Sequence, residues 1–189
     1  MEPWLVVAVV AALILGVVVL YNRLVRARVR VDEAWAQVDT DLQRRHDLIP
    51  NLVATVRGYA GHERAALEAV VETRARALQA GDPTAREAAE DELGAAIGRL
   101  LAISEGYPDL KADAGFRDLA DELAATEDRL AFARDFANHR VATYHELLGT
   151  FPSVLVANAF GFERRRLFAV DHAGARRAPE VELSSGGAA

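Results

Sequence analysis

Residues 31–80 read VDEAWAQVDTDLQRRHDLIPNLVATVRGYAGHERAALEAVVETRARALQA, and the spacing of their apolar side chains decides the fold. Val31, Trp35, Val38, Leu42, Ile49, Leu52, Val56 and Tyr59 recur at alternating steps of four and three, and Ala66, Val70 and Ala77 resume the series in phase. A mean step of about 3.5 residues is the seam of a coiled coil or helical bundle, whereas a half-buried strand alternates with a period of about 2. Ala34, Leu48, Val53, Ala60, Leu67 and Val71 flank the seam and widen it to the stripe a bundle helix buries. The pattern predicts one long helix over residues 31–80.

Upstream, WLVVAVVAALILGVVVL at residues 4–20 carries no charge. As a helix it measures roughly 26 Å, close to the hydrocarbon thickness of a bilayer, with Tyr21 and Arg23 placed to reach the headgroups. Met1-Glu2 lacks the basic start of a cleaved signal peptide, so residues 1–22 are expected to be an uncleaved single-pass anchor. Arg23, Arg26, Arg28 and Arg30 follow it within one short stretch. The positive-inside rule then puts the N-terminus outside and the rest in the cytoplasm. Arg23, Arg26 and Arg30 also share one helical face, which suits anionic lipid headgroups.

Downstream, Gly81-Asp82-Pro83 supplies a stop, an N-cap and a first helical residue. A second helix is expected to run to Glu105 through Leu93, Ile97 and Leu100, ending in the turn signal Gly106-Tyr107-Pro108-Asp109. A third, over residues 112–149, repeats the seam with Phe116, Leu119, Leu123, Thr126, Leu130, Ala133, Ala137, Val141, Tyr144 and Leu148. After Phe151-Pro152, Ser153 is placed to cap a short fourth helix over residues 154–162. The expected architecture is all-α: an N-terminal transmembrane helix, then an antiparallel up-down bundle of three long helices and one short, over residues 23–171. Residues 172–189 are small, polar and proline-marked, the composition of a disordered tail.

Composition narrows the function. A net charge of −6 argues against nucleic-acid binding, which needs a basic face to displace counterions. The chain has no cysteine, so thiolate metal sites and thiol catalysis are excluded. His62-Glu63 and His145-Glu146 begin like a zincin motif, but Ala66 and Gly149 stand where its second histidine belongs. No Glu-x-x-His pair for a di-metal bundle, phosphate loop or nucleophile elbow occurs. The sequence calls for no cofactor, metal or catalytic residue.

The unusual run is Arg44-Arg45-His46-Asp47-Leu48-Ile49-Pro50-Asn51. Pro50 removes the helical donor to the His46 carbonyl and crowds it, which predicts a kink or break unless Asn51 or a neighbouring arginine satisfies the oxygen. Asp41 precedes Arg44 and Arg45 at ion-pair spacing. Arg45 lies on the seam, where a buried charge needs a carboxylate from another helix. A length comparison adds a stalk: about 23 residues of the second helix retrace only about 35 Å of a first helix of about 75 Å. Val31, Trp35 and Val38 would then lack a partner in the chain. Together with Arg44, Arg45, Asp47, Pro50 and Asn51 they form the candidate interaction surface.

These residues also carry a family resemblance. Tyr21-Asn22-Arg23-Leu24-Val25, Ala34-Trp35-Ala36-Gln37-Val38-Asp39, Arg44-Arg45, Asp47 to Val53, Gly58-Tyr59-Ala60 and His62-Glu63 resemble the LemA family. Tyr107 to Ala112, Phe116, Leu119, Thr126-Glu127, Phe151-Pro152 and Phe160-Gly161-Phe162 match its later motifs. The resemblance implies a bacterial membrane protein with one N-terminal anchor, a cytosolic helical bundle and no established enzyme activity. It also implies two leads on partners: a related branch, MamQ, associated with building magnetosome membranes, and membrane proteases of the HtpX type. The expected function is a membrane-anchored scaffold or adaptor, acting through the bilayer and through a second copy or another membrane protein. The alternatives are a membrane-remodelling component and an enzyme with an unrecognised site between helices.

Overall fold

The structure, a computed structural model, describes residues 2–167. Its elements are α1 (Pro3–Tyr59), α2 (Arg64–Gln79), α3 (Pro83–Ser104), α4 (Pro108–Ala112), α5 (Ala114–Gly149) and α6 (Ser153–Ala159). No strand occurs among the described residues, so the all-α expectation holds, with a bundle following a long apolar N-terminal helix. The expected tail at 172–189 lies outside the described residues.

The first helix is not one element to Ala80. It ends at Tyr59, and α2 folds back beside it, so that Arg74 stands level with His46. The reversal occupies Ala60-Gly61-His62-Glu63, where Ala60 is buried and its N–H closes the last turn on Val56 O at 2.8 Å. Gly61 permits the close return: a Cβ there would stand 3.1 Å from the Arg57 carbonyl oxygen. Glu63 is held from the far side of the turn by the Tyr107 hydroxyl at 2.9 Å.

Most seam residues nevertheless take the roles their spacing gives them; the exceptions are Tyr59, and Val71 on the flank, which are exposed. Ile49, Leu52, Val56, Leu67, Val70, Leu93, Leu100, Leu110, Phe116 and Leu123 form one core at the far end of the bundle. Each fully buried aliphatic side chain contributes about 1.5–3 kcal/mol relative to an exposed one. Asp82 caps α3, accepting from the Thr84 and Ala85 N–H groups at 2.9 and 3.0 Å, with Pro83 in the first turn. Asp113 caps α5 through the Phe116 N–H at 2.8 Å.

The reversal also removes the stalk. The 36-residue α5 runs antiparallel to α1 from Asp113, which meets the Tyr59 hydroxyl at 3.1 Å, back to Leu148 beside Leu24. Val31 and Val38 are each 1% exposed, covered by Ala133, Ala137, Val141 and Tyr144 of α5. Trp35 is half-buried between these two layers. The expectation of an unpartnered membrane-proximal seam therefore fails, because the third long helix rather than the second covers it.

Ser153 is a second correction. It is the first residue of α6 and not its cap; its buried hydroxyl donates to Leu147 O at 2.6 Å and Thr150 O at 2.8 Å, tying α6 to the end of α5. Beyond α6, Gly161 takes φ 66°, and the Phe162 N–H reaches Ala157 O at 2.9 Å. This left-handed closure favours glycine.

Candidate functional site: a buried ion cluster and the membrane-facing end

Arg45 is the seam charge, and the bundle encloses it at 2% exposure. Its Nη1 donates to Glu127 Oε1 and Oε2 at 2.9 and 3.2 Å, and Nη2 donates to the Glu90 carbonyl at 3.1 Å and to Glu90 Oε2. The other Glu90 oxygen, Oε1, lies 2.8 Å from His46 Nε2. One guanidinium thus joins α1, α3 and α5, and Glu90 is engaged on both oxygens. Gly94, one turn beyond Glu90, leaves room for the guanidinium: a Cβ there would lie 3.5 Å from Nη1.

The charges sustain one another. Burial works against the Glu90 carboxylate, but the hydrogen bonds from His46 and Arg45 and the Arg45 charge outweigh it and hold its pKa below the ordinary range. Burial likewise opposes the Arg45 charge, and Glu127 first and then Glu90 reverse this, so Arg45 titrates above its ordinary value. Removing either member of the fully buried Arg45–Glu90 pair strips the other buried charge of its closest partner, which costs about 3–5 kcal/mol.

Pro50 sits just above this cluster. α1 runs through it without a break, and the freed His46 carbonyl accepts from Arg74 Nε of α2 at 3.0 Å. Asn51 takes no part in this; its own carbonyl accepts from Thr55 Oγ1 at 2.9 Å. Asp41 does not pair with Arg44 or Arg45. Buried, it accepts from Gln37 Nε2 at 3.0 Å and faces Arg129 Nε at 3.5 Å. Arg44 turns outward to Glu122 at 2.6 Å, and Asp47 accepts from Gln43 at 2.8 Å.

The predicted residues therefore separate. Val31, Val38 and Arg45 are interior; Arg44, Asp47, Pro50 and Asn51 are exposed on α1. Arg23, Arg26 and Arg30 are exposed at the membrane-proximal end, where Arg140 and Thr143 of α5 join them around a groove of about 360 Å³. Sequence reasoning missed Arg140, whose neighbours across the groove, Arg23, Arg26 and Arg30, are more than a hundred residues away, and Glu90, one of many acidic residues. It also missed Phe132 and Phe136, exposed on α5 with rings stacked at 6.3 Å between centroids. Their spacing of four placed them on one face, but nothing local marked that face as uncovered. Among the described residues no group of three or more potential metal ligands occurs.

The first part of α1 completes the arrangement. Residues 3–19 are exposed on every side, and α1 is the described helix long and apolar enough to cross a membrane. A core helix of similar composition would be covered by the bundle; this one is not. These features define a membrane-associated protein whose helical bundle is built directly onto its apolar N-terminal helix.

The family model described as the LemA family matches residues 34–183, and the chain belongs to that family. It is similar to magnetosome protein MamQ of Magnetospirillum gryphiswaldense, 26% identical over 174 residues, which cover 78% of this chain and 64% of the relative. Magnetosome proteins MamQ 1 and MamQ 2 of Paramagnetospirillum magneticum are each 25% identical over 195 residues, covering 89% of this chain and 70% of theirs. The chain thus spans just under two thirds of the first of these relatives.

Proposed function

We propose that the protein is a non-catalytic scaffold or adaptor, anchored in the bacterial cell membrane by a single pass, with its bundle in the cytoplasm. The arginines after the anchor support that orientation. The buried cluster supports a structural role for the polar interior, since both Glu90 oxygens are already bonded. The observation that carries the reading is the exposed Phe132–Phe136 pair, which borders a shallow depression of about 530 Å³ with Gln37, Asp41 and Arg129. An exposed aromatic pair rimmed by charge is a surface that a protein partner covers. That partner is a second copy or another membrane protein, the HtpX-type protease being the class the family resemblance suggests. Arg44, Asp47, Pro50 and Asn51 remain available as a second exposed surface for such contacts.

A photoreactive residue in place of Phe132, irradiated in native membranes, tests the reading against the same residue at Asp118 on α5. A discrete protein adduct from position 132 and none from 118 is expected. No adduct from either position removes the adaptor role. A membrane-shaping role of the magnetosome-protein kind is the second reading, favoured by the basic groove of Arg23, Arg26, Arg30 and Arg140. Reconstituted protein that leaves vesicle shape unchanged, or that still deforms vesicles after alanine replaces Arg23, Arg26 and Arg30, removes that reading.

A further inference from the structure

The corner between α5 and α6 presents apolar side chains that the bundle does not use. Phe151 is 75% exposed and Leu155 61%, with Phe160 also largely exposed. The opposite face of α6, Val156 and Ala157, is buried against α1 and α5. The whole run FPSVLVANAFGF, residues 151–162, carries no charge in a chain that is 26% charged. A short helix facing water on its outer side would be expected to carry mostly polar residues there; the exposed positions of this one are Leu155, Asn158 and Ala159, of which Asn158 alone is polar.

Its location says what covers the outer face. Val156 and Ala157 share a core cluster with Leu24, against which Leu20 packs, so the corner stands where the uncovered apolar part of α1 ends. Tyr21 meets Phe160 and Phe162 edge-on, with ring centroids 5.0 and 5.6 Å apart. Arg28 lies over the Phe162 ring at 5.6 Å, and Arg23, Arg26, Arg30 and Arg140 line the groove on the same end of the bundle. Hydrocarbon-compatible residues, then aromatics, then arginines follow one another along α1, which is the order of acyl chains, interface and headgroups in a bilayer.

We propose that the α5–α6 corner is a second membrane-contact site, in which Phe151, Leu155 and Phe160 enter the lipid interface beside the anchor. This rests on the membrane-anchored reading and extends it: the bundle stands on the bilayer at two points and does not swing on its anchor. α1 is one unbroken helix from Pro3 to Tyr59, so the depth of the corner is set by the depth of the anchor. The basic groove beside it takes the phosphate of anionic lipids, while the corner takes their upper acyl chains.

The chain has no cysteine, so one introduced thiol carries one label. Full-length protein with Thr150→Cys or Leu155→Cys, each bearing an environment-sensitive fluorophore, is reconstituted in phosphatidylcholine vesicles containing phosphatidylglycerol. Leu13→Cys reports on the anchor and Asp118→Cys on the far end of the bundle. Thr150→Cys leaves Phe151 and Leu155 in place, and helical content by circular dichroism confirms that each variant is folded. Nitroxide lipids labelled near the headgroup are expected to quench positions 150 and 155 at least twofold more than 118, while nitroxides deep in the chain quench 13. Quenching at 13 with none above the level of 118 at 150 and 155 overturns this inference alone. No quenching at 13 overturns the anchor as well. Blue-shifted but unquenched emission at 155 that disappears on diluting protein in lipid assigns the corner to a second copy and also overturns the proposal.

Discussion

Arg74 Nε on α2 donates to the carbonyl oxygen of His46 on α1 at 3.0 Å, the oxygen that Pro50 leaves without its helical donor. A proline inside a helix costs about 3 kcal/mol when nothing compensates it. Here the lost bond is replaced by a charged donor from the neighbouring helix, so the defect becomes a junction between α1 and α2. Arg74→Ala is expected to destabilise the bundle by about 1.5–3 kcal/mol. In a Pro50→Ala background the residue-50 N–H recovers the carbonyl, and Arg74→Ala should cost less than half as much. A double-mutant cycle by urea unfolding in detergent measures the difference, and equal costs in both backgrounds refute the junction.

The Arg45–Glu90 pair predicts a similar non-additivity. Glu90→Ala strands Arg45 in the core and is expected to cost about 3–5 kcal/mol. The double variant Arg45→Met with Glu90→Leu removes both charges and is expected to be less destabilised than Glu90→Ala alone. Thermal melting followed by circular dichroism checks the order, and a double variant that melts below the single one contradicts it.

Glu90 also gives the bundle an acid limit. Its folded pKa lies below the ordinary value, held there by His46 and Arg45. Asp82 and Asp113 are likewise lowered, chiefly by the backbone N–H groups of Ala85 and Phe116. A carboxyl that binds its proton more weakly when folded contributes stability that is complete above the unfolded pKa. That contribution is lost as pH falls through the folded pKa. Stability is therefore expected to be level from neutrality to about pH 5 and to decline below about pH 4, near and under the ordinary carboxylate values. Glu90→Gln should be less stable at neutral pH and show a shallower decline. An unchanged slope in that variant would mean that Glu90 is not part of the acid limb.

Gly94 tests how closely α3 packs on the guanidinium. A methyl group there meets Arg45 Nη1 at ordinary contact distance, so Gly94→Ala is expected to be tolerated, helped by the better helix propensity of alanine. Gly94→Leu must displace Arg45 from Glu127 and is expected to cost about 1–3 kcal/mol. Comparable melting temperatures for the two variants would show that the space above Arg45 is not confined.

Much of the site was visible locally. The seam spacing identified Ile49, Leu52, Val56, Phe116, Leu123 and Leu130 as interior, and Asp82-Pro83 as the start of α3. The position of Arg45 on the seam required a carboxylate from elsewhere, and Pro50 required a donor for the His46 carbonyl. Neither requirement named its partner. Glu90 and Glu127 stand 45 and 82 residues from Arg45, and the register of antiparallel helices selects them.

The sequence by itself determined the helical class, the apolar N-terminal helix, most of the interior faces and the Asp82 cap of α3, because each depends on residues within a few turns of one another. Only the tertiary structure decided that the first long pattern is two antiparallel helices. The alternation of four and three continues in phase across Ala60-Gly61-His62-Glu63, so periodicity cannot tell a straight helix from one folded back on itself. Gly61 permits the reversal locally, beside the Arg57 carbonyl, and the Tyr107–Glu63 bond holds it through a residue 44 positions away. That reversal frees α5 to cover Val31 and Val38, and carries the uncharged α6 to the level of Leu20 and Leu24.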